Sequence, residues 1–324
     1  MKRALKIAGG VLLALVLLLA YEIVNISGFG VDSDHPGQVI THNIVDPTQL
    51  VEVSKFRSEA GHDFGGRGEW CLSMKHYFIA THDIVKKEAQ ANTYHTIAEP
   101  DGKNDITVYA PFDGYVTQYL KNPHAGYLMG FAPFKNHGIV LMLDHVFPIN
   151  NKLHSGPIPF LTLGAGKVRA GEPIGKINGN EGFDVELRVG GVPWSDNWSS
   201  YFMGLTDAAY AEWKAVKNIS PADYTITKAY RQAHPLQCIP NKDANHNNKD
   251  FVHPAASNDT NSYVILKPSI IASFAAAETK RMPTSDSGQV CDKNHLGVIR
   301  TTPQMKMKCR VIADGRITWG PLEG

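Results

Sequence analysis

The chain has 324 residues, 43% of them hydrophobic and 19% charged, with a formal charge of +1. That length builds one large domain or two small ones around a sizeable core, and that composition excludes a disordered chain. The near-zero charge excludes a strongly basic nucleic-acid surface, so no nucleic-acid partner is expected.

Lys2, Arg3 and Lys6 precede an uncharged run over residues 7–20, rich in Leu and Val. The run is short for a spanning helix and suits the apolar region of a signal peptide. Residues 1–26 are therefore expected to be a signal peptide or an N-terminal membrane anchor, with 4–26 as the anchoring stretch. No Lys or Arg occurs between Lys6 and Lys55. That asymmetry places the N-terminus in the cytoplasm and the bulk of the chain outside, periplasmic or extracellular, attached to the inner membrane where the anchor is retained. Export gives the four cysteines a meaning. Cys71, Cys238, Cys291 and Cys309 are an even number in an oxidising compartment, which favours two disulfides. Three pairings are open, and Cys71 with Cys238 plus Cys291 with Cys309 is the favoured one. No Cys-x-x-Cys is present to suggest a zinc ribbon.

Residues 27–60 carry Gly28, Gly30, Asp32, Pro36 and Pro47 and read as a linker with edge strands near 38–44 and 49–53. A glycine-rich stretch, GHDFGGRGEWCLSMKHYF, follows with His62, Asp63 and His76. From 106 to 189 the pattern is that of successive strands. Ile106, Val108 and Ala110 alternate with Thr107 and Tyr109, and Pro111, Asp113 and Gly114 supply a turn. Residues 139–143 are apolar throughout, as in a strand covered on both faces. Near 184–189, Val185, Leu187 and Val189 share one face, while Asp184, Glu186 and Arg188 face outward on the other.

The succession Val108-Tyr-Ala-Pro-Phe-Asp-Gly114, then Gly138-Ile-Val with Asp144-His145, then Val168-Arg-Ala-Gly-Glu-Pro-Ile-Gly175, then Glu186-Leu-Arg188 resembles the lysostaphin-type (LytM) zinc endopeptidase domain, the duplicated hybrid motif. The resemblance covers 106–189 well and 61–192 loosely. It implies a mostly β fold with an antiparallel sheet core over 61–192; beyond that the chain leaves the family pattern, and a helical insertion and a small C-terminal extension packed on the core are expected over 193–324. The resemblance also fixes where zinc chemistry would sit. Active members carry His-x-x-x-Asp before the first core strand; His76 matches the histidine and Ala80 stands at the aspartate. A Tyr-x-His-Leu segment corresponds to 160–163, with Thr162 in place of histidine. A final His-x-His corresponds to Gly182 and Asp184. Asp144-His145 is structural in the family.

Catalytic zinc needs three protein ligands and an open position for water. The aligned positions here supply one histidine and one carboxylate. The expectation is an exported pseudoenzyme without a cofactor. It would bind cell-wall peptide, glycan or a cell-envelope protein in the former active-site groove, and touch the membrane through its N-terminal segment. The alternatives are a zinc metalloendopeptidase with a rearranged site from His62, His76, Asp184 and Glu186, and a secreted structural or interaction module.

Beyond 192, two tryptophans and a tyrosine in VPWSDNWSSYFMGL read as core or as a stacking platform. Thr206 is placed to cap a helix running to about Val216, with Leu205, Ala209, Trp213 and Val216 on one face. Ser220-Pro221 starts a second helix. Residues 239–262 read as an exposed loop, 263–266 as a strand and 270–277 as a short helix. Three strands are expected near 298–300, 308–312 and 317–319.

Overall fold

The structure is a computed structural model. It describes residues 10–20, 32–80, 99–268 and, farther on, 299–301, 306–311 and 317–321, save for short breaks within these spans, the longest being 191–196 and 241–248. The chain forms two compact units, Met1–Ala272 and Ser273–Gly324.

The first unit is built on a mostly antiparallel β-sheet, as the alternating pattern required. Its strands are β1 (Leu50–Ser54), β2 (His76–Ala80), β3 (Ile106–Tyr109), β4 (Gly114–Lys121), β5 (Tyr127–Pro133), β6 (Ile139–Pro148), β7 (Lys167–Val168), β8 (Pro173–Ile177), β9 (Gly182–Val189), β10 (Trp198–Ser199), β11 (Cys238–Pro240), β12 (Lys249–Phe251) and β13 (Tyr263–Ile265). The main path runs β13-β1-β2-β9-β6-β5-β4-β7. Strand β10 adds to β9, and β3 joins through β8 to the far end of β6. The central strand β9 is flanked by β2 and β6, so both its faces are available for packing.

On one face Phe78, Leu141, Leu143, Phe183, Val185 and Leu187 form the main core with Tyr201, Phe202 and Trp213. The Thr206 hydroxyl accepts from the Ala209 amide and caps the helix Asp207–Val216, which turns Ala209, Tyr210 and Trp213 inward. Trp213 donates its indole N–H to Asn43 Oδ1 at 2.7 Å, which satisfies the polar end of a fully buried ring. Of the aromatic run after β9, Trp198, Tyr201 and Phe202 are core: Phe202 stacks on Tyr224 with ring centroids 3.6 Å apart, and Trp198 is buried on β10, while Trp194 lies outside the described residues. Ser220-Pro221 starts only a 3-10 turn, Pro221–Tyr224, with Ser220 and Asp223 bonded reciprocally.

Two expectations need correction. Residues 38–44 form no strand. The Val39 and Ile40 amides bond the Gly204 carbonyl, and those of Thr41 and His42 bond the Pro111 carbonyl, so this backbone is satisfied by a helix end and a loop. Residues 239–262 are not simply a loop, because β11 and β12 pair as an antiparallel hairpin at their start. The strand at 263–265 and those of the second unit, β14 (Ile299–Thr301), β15 (Lys306–Val311) and β16 (Ile317–Pro321), occur near where the pattern put them. The last three pair as a meander.

Cys71 and Cys238 form a disulfide with Cα atoms 5.7 Å apart. Cys291, and with it the second pairing, lies outside the described residues, as does the helix proposed over 270–277. Residues 10–20 are helical, and the rest of 1–26 lies outside the described residues. Among the described residues no helix is long and apolar enough to cross a membrane.

Candidate functional site

The second face of the sheet carries the polar residues. Antiparallel pairing sets His76 opposite Val185 and Tyr77 opposite Asp184. Directly paired residues share a face. His76 and Phe78 therefore join the main core, while Lys75 and Tyr77 lie on the other side with Asp184 and Glu186. One residue of frame separates a core histidine from a site residue.

His76 is fully buried among Phe56, Phe78 and Phe202. Its Nδ1 lies 2.7 Å from the Ser54 carbonyl and donates to it; its Nε2, 3.0 Å from Ser200 Oγ, accepts. Both nitrogens are engaged in the neutral ring. Burial pulls its pKa down to about 4.

The trio Asp184, Glu186 and Arg188 alternates as expected, but it does not face solvent. The three are 7%, 5% and 5% exposed. A second layer covers them. The stretch between β1 and β2 folds back as a hairpin closed by reciprocal backbone bonds between Gly66 and Glu69; the Phe64 amide also bonds the Leu72 carbonyl and the Met74 amide the Phe64 carbonyl, as a parallel bridge. Phe56, Leu72 and Met74 pack with Val140, Met142 and Trp198 over this face, and Phe64 lies 4.9 Å from Trp198, ring to ring. Local chemistry lets the hairpin form. A Cβ at Gly65 would meet the Glu69 carbonyl oxygen at 2.2 Å, so only glycine fits that approach. The buried Arg57 guanidinium bonds both Glu69 oxygens, at 2.8 and 3.2 Å, and Cys71 ties the hairpin to β11.

Beneath that cover sits Lys75, a residue the sequence analysis passed over. Its signal was available: strand alternation around His76 places 75 and 77 together on the opposite face. The side chain is 4% exposed. Nζ lies 2.6 Å from Asp184 Oδ2 and 3.1 Å from His62 Nε2, with the Phe64 and Tyr77 rings 4.9 and 5.0 Å away. His62 Nδ1 donates to the Asp63 carbonyl at 3.0 Å, which leaves Nε2 as the acceptor for the lysine. Burial alone would lower the Lys75 pKa, but Asp184, Tyr77 and Glu186 outweigh it and raise it. Burial pushes Asp184 up, and Lys75 more than reverses this. Glu186 has no such close partner. Burial drives its pKa up to about 8, with Asp184 and Asp144 adding to the rise and Lys75 opposing it, so its carboxyl is protonated at neutral pH.

Of the four metal candidates, His62 and Asp184 thus meet at Lys75, Glu186 lies on the same face, and His76 lies on the other. At the rim, Asp144, His145 and Asp184 each offer a ligand atom within 4.8 Å of the others. Asp144 accepts from Asn122 Nδ2 at 2.7 Å and from the His145 amide at 2.8 Å. His145 has φ +66°, and its Nδ1 is 3.3 Å from the Ala125 carbonyl. These contacts fit the structural role expected for the pair. A separate cleft of about 760 Å³ is lined by Lys55, Glu59, Thr225, Tyr230, Arg231 and His234.

No family model matches the chain, and no curated protein does. Among solved structures, it is similar to a chain of the SpoIIQ-SpoIIIAH pore-forming complex, at 16% identity and TM-score 0.31, over 55% of this chain and 98% of that one. It is also similar to Helicobacter pylori Csd3, at 13% identity and TM-score 0.30 in the hexagonal crystal, over 53% of this chain and 34% of that one. In the orthorhombic crystal of Csd3 the identity is 12% and the TM-score 0.30, over 80% of this chain and 46% of that one. The chain spans less than half the length of either Csd3 chain.

Proposed function

We propose that this chain is an exported, non-hydrolytic lysostaphin-type homologue that binds a cell-wall peptide or glycan, or a cell-envelope protein. The observation that carries the proposal is Lys75. Its ammonium stands 2.6 Å from Asp184, the residue at the position of the last zinc-binding histidine. A divalent cation brought to Asp184 would meet a fixed positive charge with the same carboxylate already committed to it. His76 has no free nitrogen to offer. Asp144, His145 and Asp184 match a catalytic zinc centre in number, but Asp184 is held by that ammonium and Asp144 by Asn122 and the His145 amide, which makes them a poor match to it.

With the floor of the groove covered by the chain's own hairpin, the ligand meets its half-buried rim: His62, Asn122, Asp144 and His145. The test is direct. The purified protein is assayed for bound zinc, for muropeptide cleavage and for binding to sacculi and to envelope extracts. The expected result is no stoichiometric zinc, no cleavage and saturable binding that weakens in Asn122→Ala and His145→Ala but not in Tyr230→Ala, which alters the separate cleft. Stoichiometric zinc together with cleavage abolished in Asp184→Ala would overturn the proposal.

A further inference from the structure

Lys75 and Asp184 form an ion pair held at short range in a buried setting. An amine nitrogen and a carboxylate oxygen lie 2.6 Å apart on neighbouring antiparallel segments, Lys75 at the residue before β2 and Asp184 within β9. Water is largely excluded from them by Phe64, Tyr77 and the covering hairpin. His62 Nε2 sits 3.1 Å from the same nitrogen with its lone pair toward it, placed to take a proton. Glu186 stands two residues from Asp184 on the same face of β9, 5% exposed and within electrostatic reach of both Lys75 and Asp184.

We propose that Lys75 and Asp184 condense into an intramolecular amide that cross-links the start of β2 to β9. The ammonium passes one proton directly to the Asp184 carboxylate that it touches, which leaves a free amine beside a neutral carboxyl. The Nζ lone pair then forms the Nζ–Cγ bond. The nitrogen gives up a second proton to His62 Nε2. The Cγ–Oδ bond breaks, and the oxygen leaves as water with the proton held by His62. Ammonium plus carboxylate becomes amide plus one water, with no oxidant, reductant or cofactor required.

Two physical terms favour the step. A buried ion pair carries the desolvation cost of two charges, and the amide carries neither. Two reacting groups fixed by neighbouring strands react with effective molarities on the order of 10⁵–10⁸ M, which offsets the unfavourable balance of amide formation in water. The cross-link consumes the ammonium and the carboxylate on which the non-hydrolytic reading rests, and an amide at Asp184 is no better a metal ligand, so that reading holds with or without it.

The test is a peptide map by mass spectrometry of the purified full chain, denatured and reduced. The expected result is a branched peptide joining the segments around Lys75 and Asp184, lighter by one water than the two linear peptides together. That species is absent in Lys75→Arg and in Asp184→Ala, and it accumulates more slowly in His62→Ala. Linear peptides carrying unmodified Lys75 and unmodified Asp184 from the wild-type protein overturn the proposal, and so does a lost water that maps elsewhere. The wild-type readout is made on denatured protein, so it does not depend on any variant folding.

Discussion

His76 gives the most stringent test of the site as built. In the folded chain the ring is buried and neutral, and its pKa is pulled down to about 4 from an ordinary value of 6.5. The unfolded chain therefore binds more protons than the folded one between those two values. The contribution of His76 to stability is complete above pH 6.5 and is lost as the pH falls through 6.5 toward 4. A depression of that size amounts to about 3 kcal/mol. The perturbation is His76→Gln, which keeps a polar side chain facing Ser54 and Ser200 but cannot titrate. Urea unfolding is followed from pH 8 to pH 4 for both proteins, and the stability of the variant is subtracted from that of the wild type. Carboxylates common to both cancel in the difference. The difference is expected to be flat above pH 6.5 and to fall by about 3 kcal/mol by pH 4. A difference that stays level across the range, or one that falls above pH 7, would refute a neutral, buried His76. Zinc added at pH 7 is expected to leave both midpoints in place, because neither nitrogen is free to ligate.

Glu186 titrates with the opposite sense. Its folded pKa is raised to about 8, so wild-type stability is lost as the pH rises from 4.5 through 8; Glu186→Gln is expected to remove that loss in the same unfolding series. Trp213→Ala empties a fully buried site and breaks the bond to Asn43, at a cost of about 3–5 kcal/mol in unfolding free energy. Cys71→Ser removes a link across 167 residues and is expected to cost about 5 kcal/mol under oxidising conditions, read from denaturant midpoints. The same variant is expected to speed amide hydrogen exchange in 63–74 before the central strands, because the hairpin loses its tie to β11.

The strands from Ile106 to Val189 were legible because their chemistry is local. Alternation at Ile106-Thr107-Val108-Tyr109 and at Asp184–Val189, with turn residues between, specifies extended backbone and the face each side chain takes. The Thr206 cap was legible for the same reason. The site was legible only in part. His76 sits in a strand, and its resemblance to a ligand position said nothing of which face it takes; the pairing with β9 decided that. Lys75 carries no motif at all. Its role comes from Asp184, distant in sequence and brought near by the sheet.

Alternation and turn residues by themselves marked the main strands, while the three possible cysteine pairings stayed open until the fold brought Cys71 to Cys238. Tertiary structure alone decided that Asp184, Glu186 and Arg188 are covered rather than outward, since burial of a sheet face depends on what folds over it. It likewise decided that the charge beside Asp184 is Lys75, because a carboxylate that stays ionised when buried needs a cation beside it in space, wherever in the chain that cation lies.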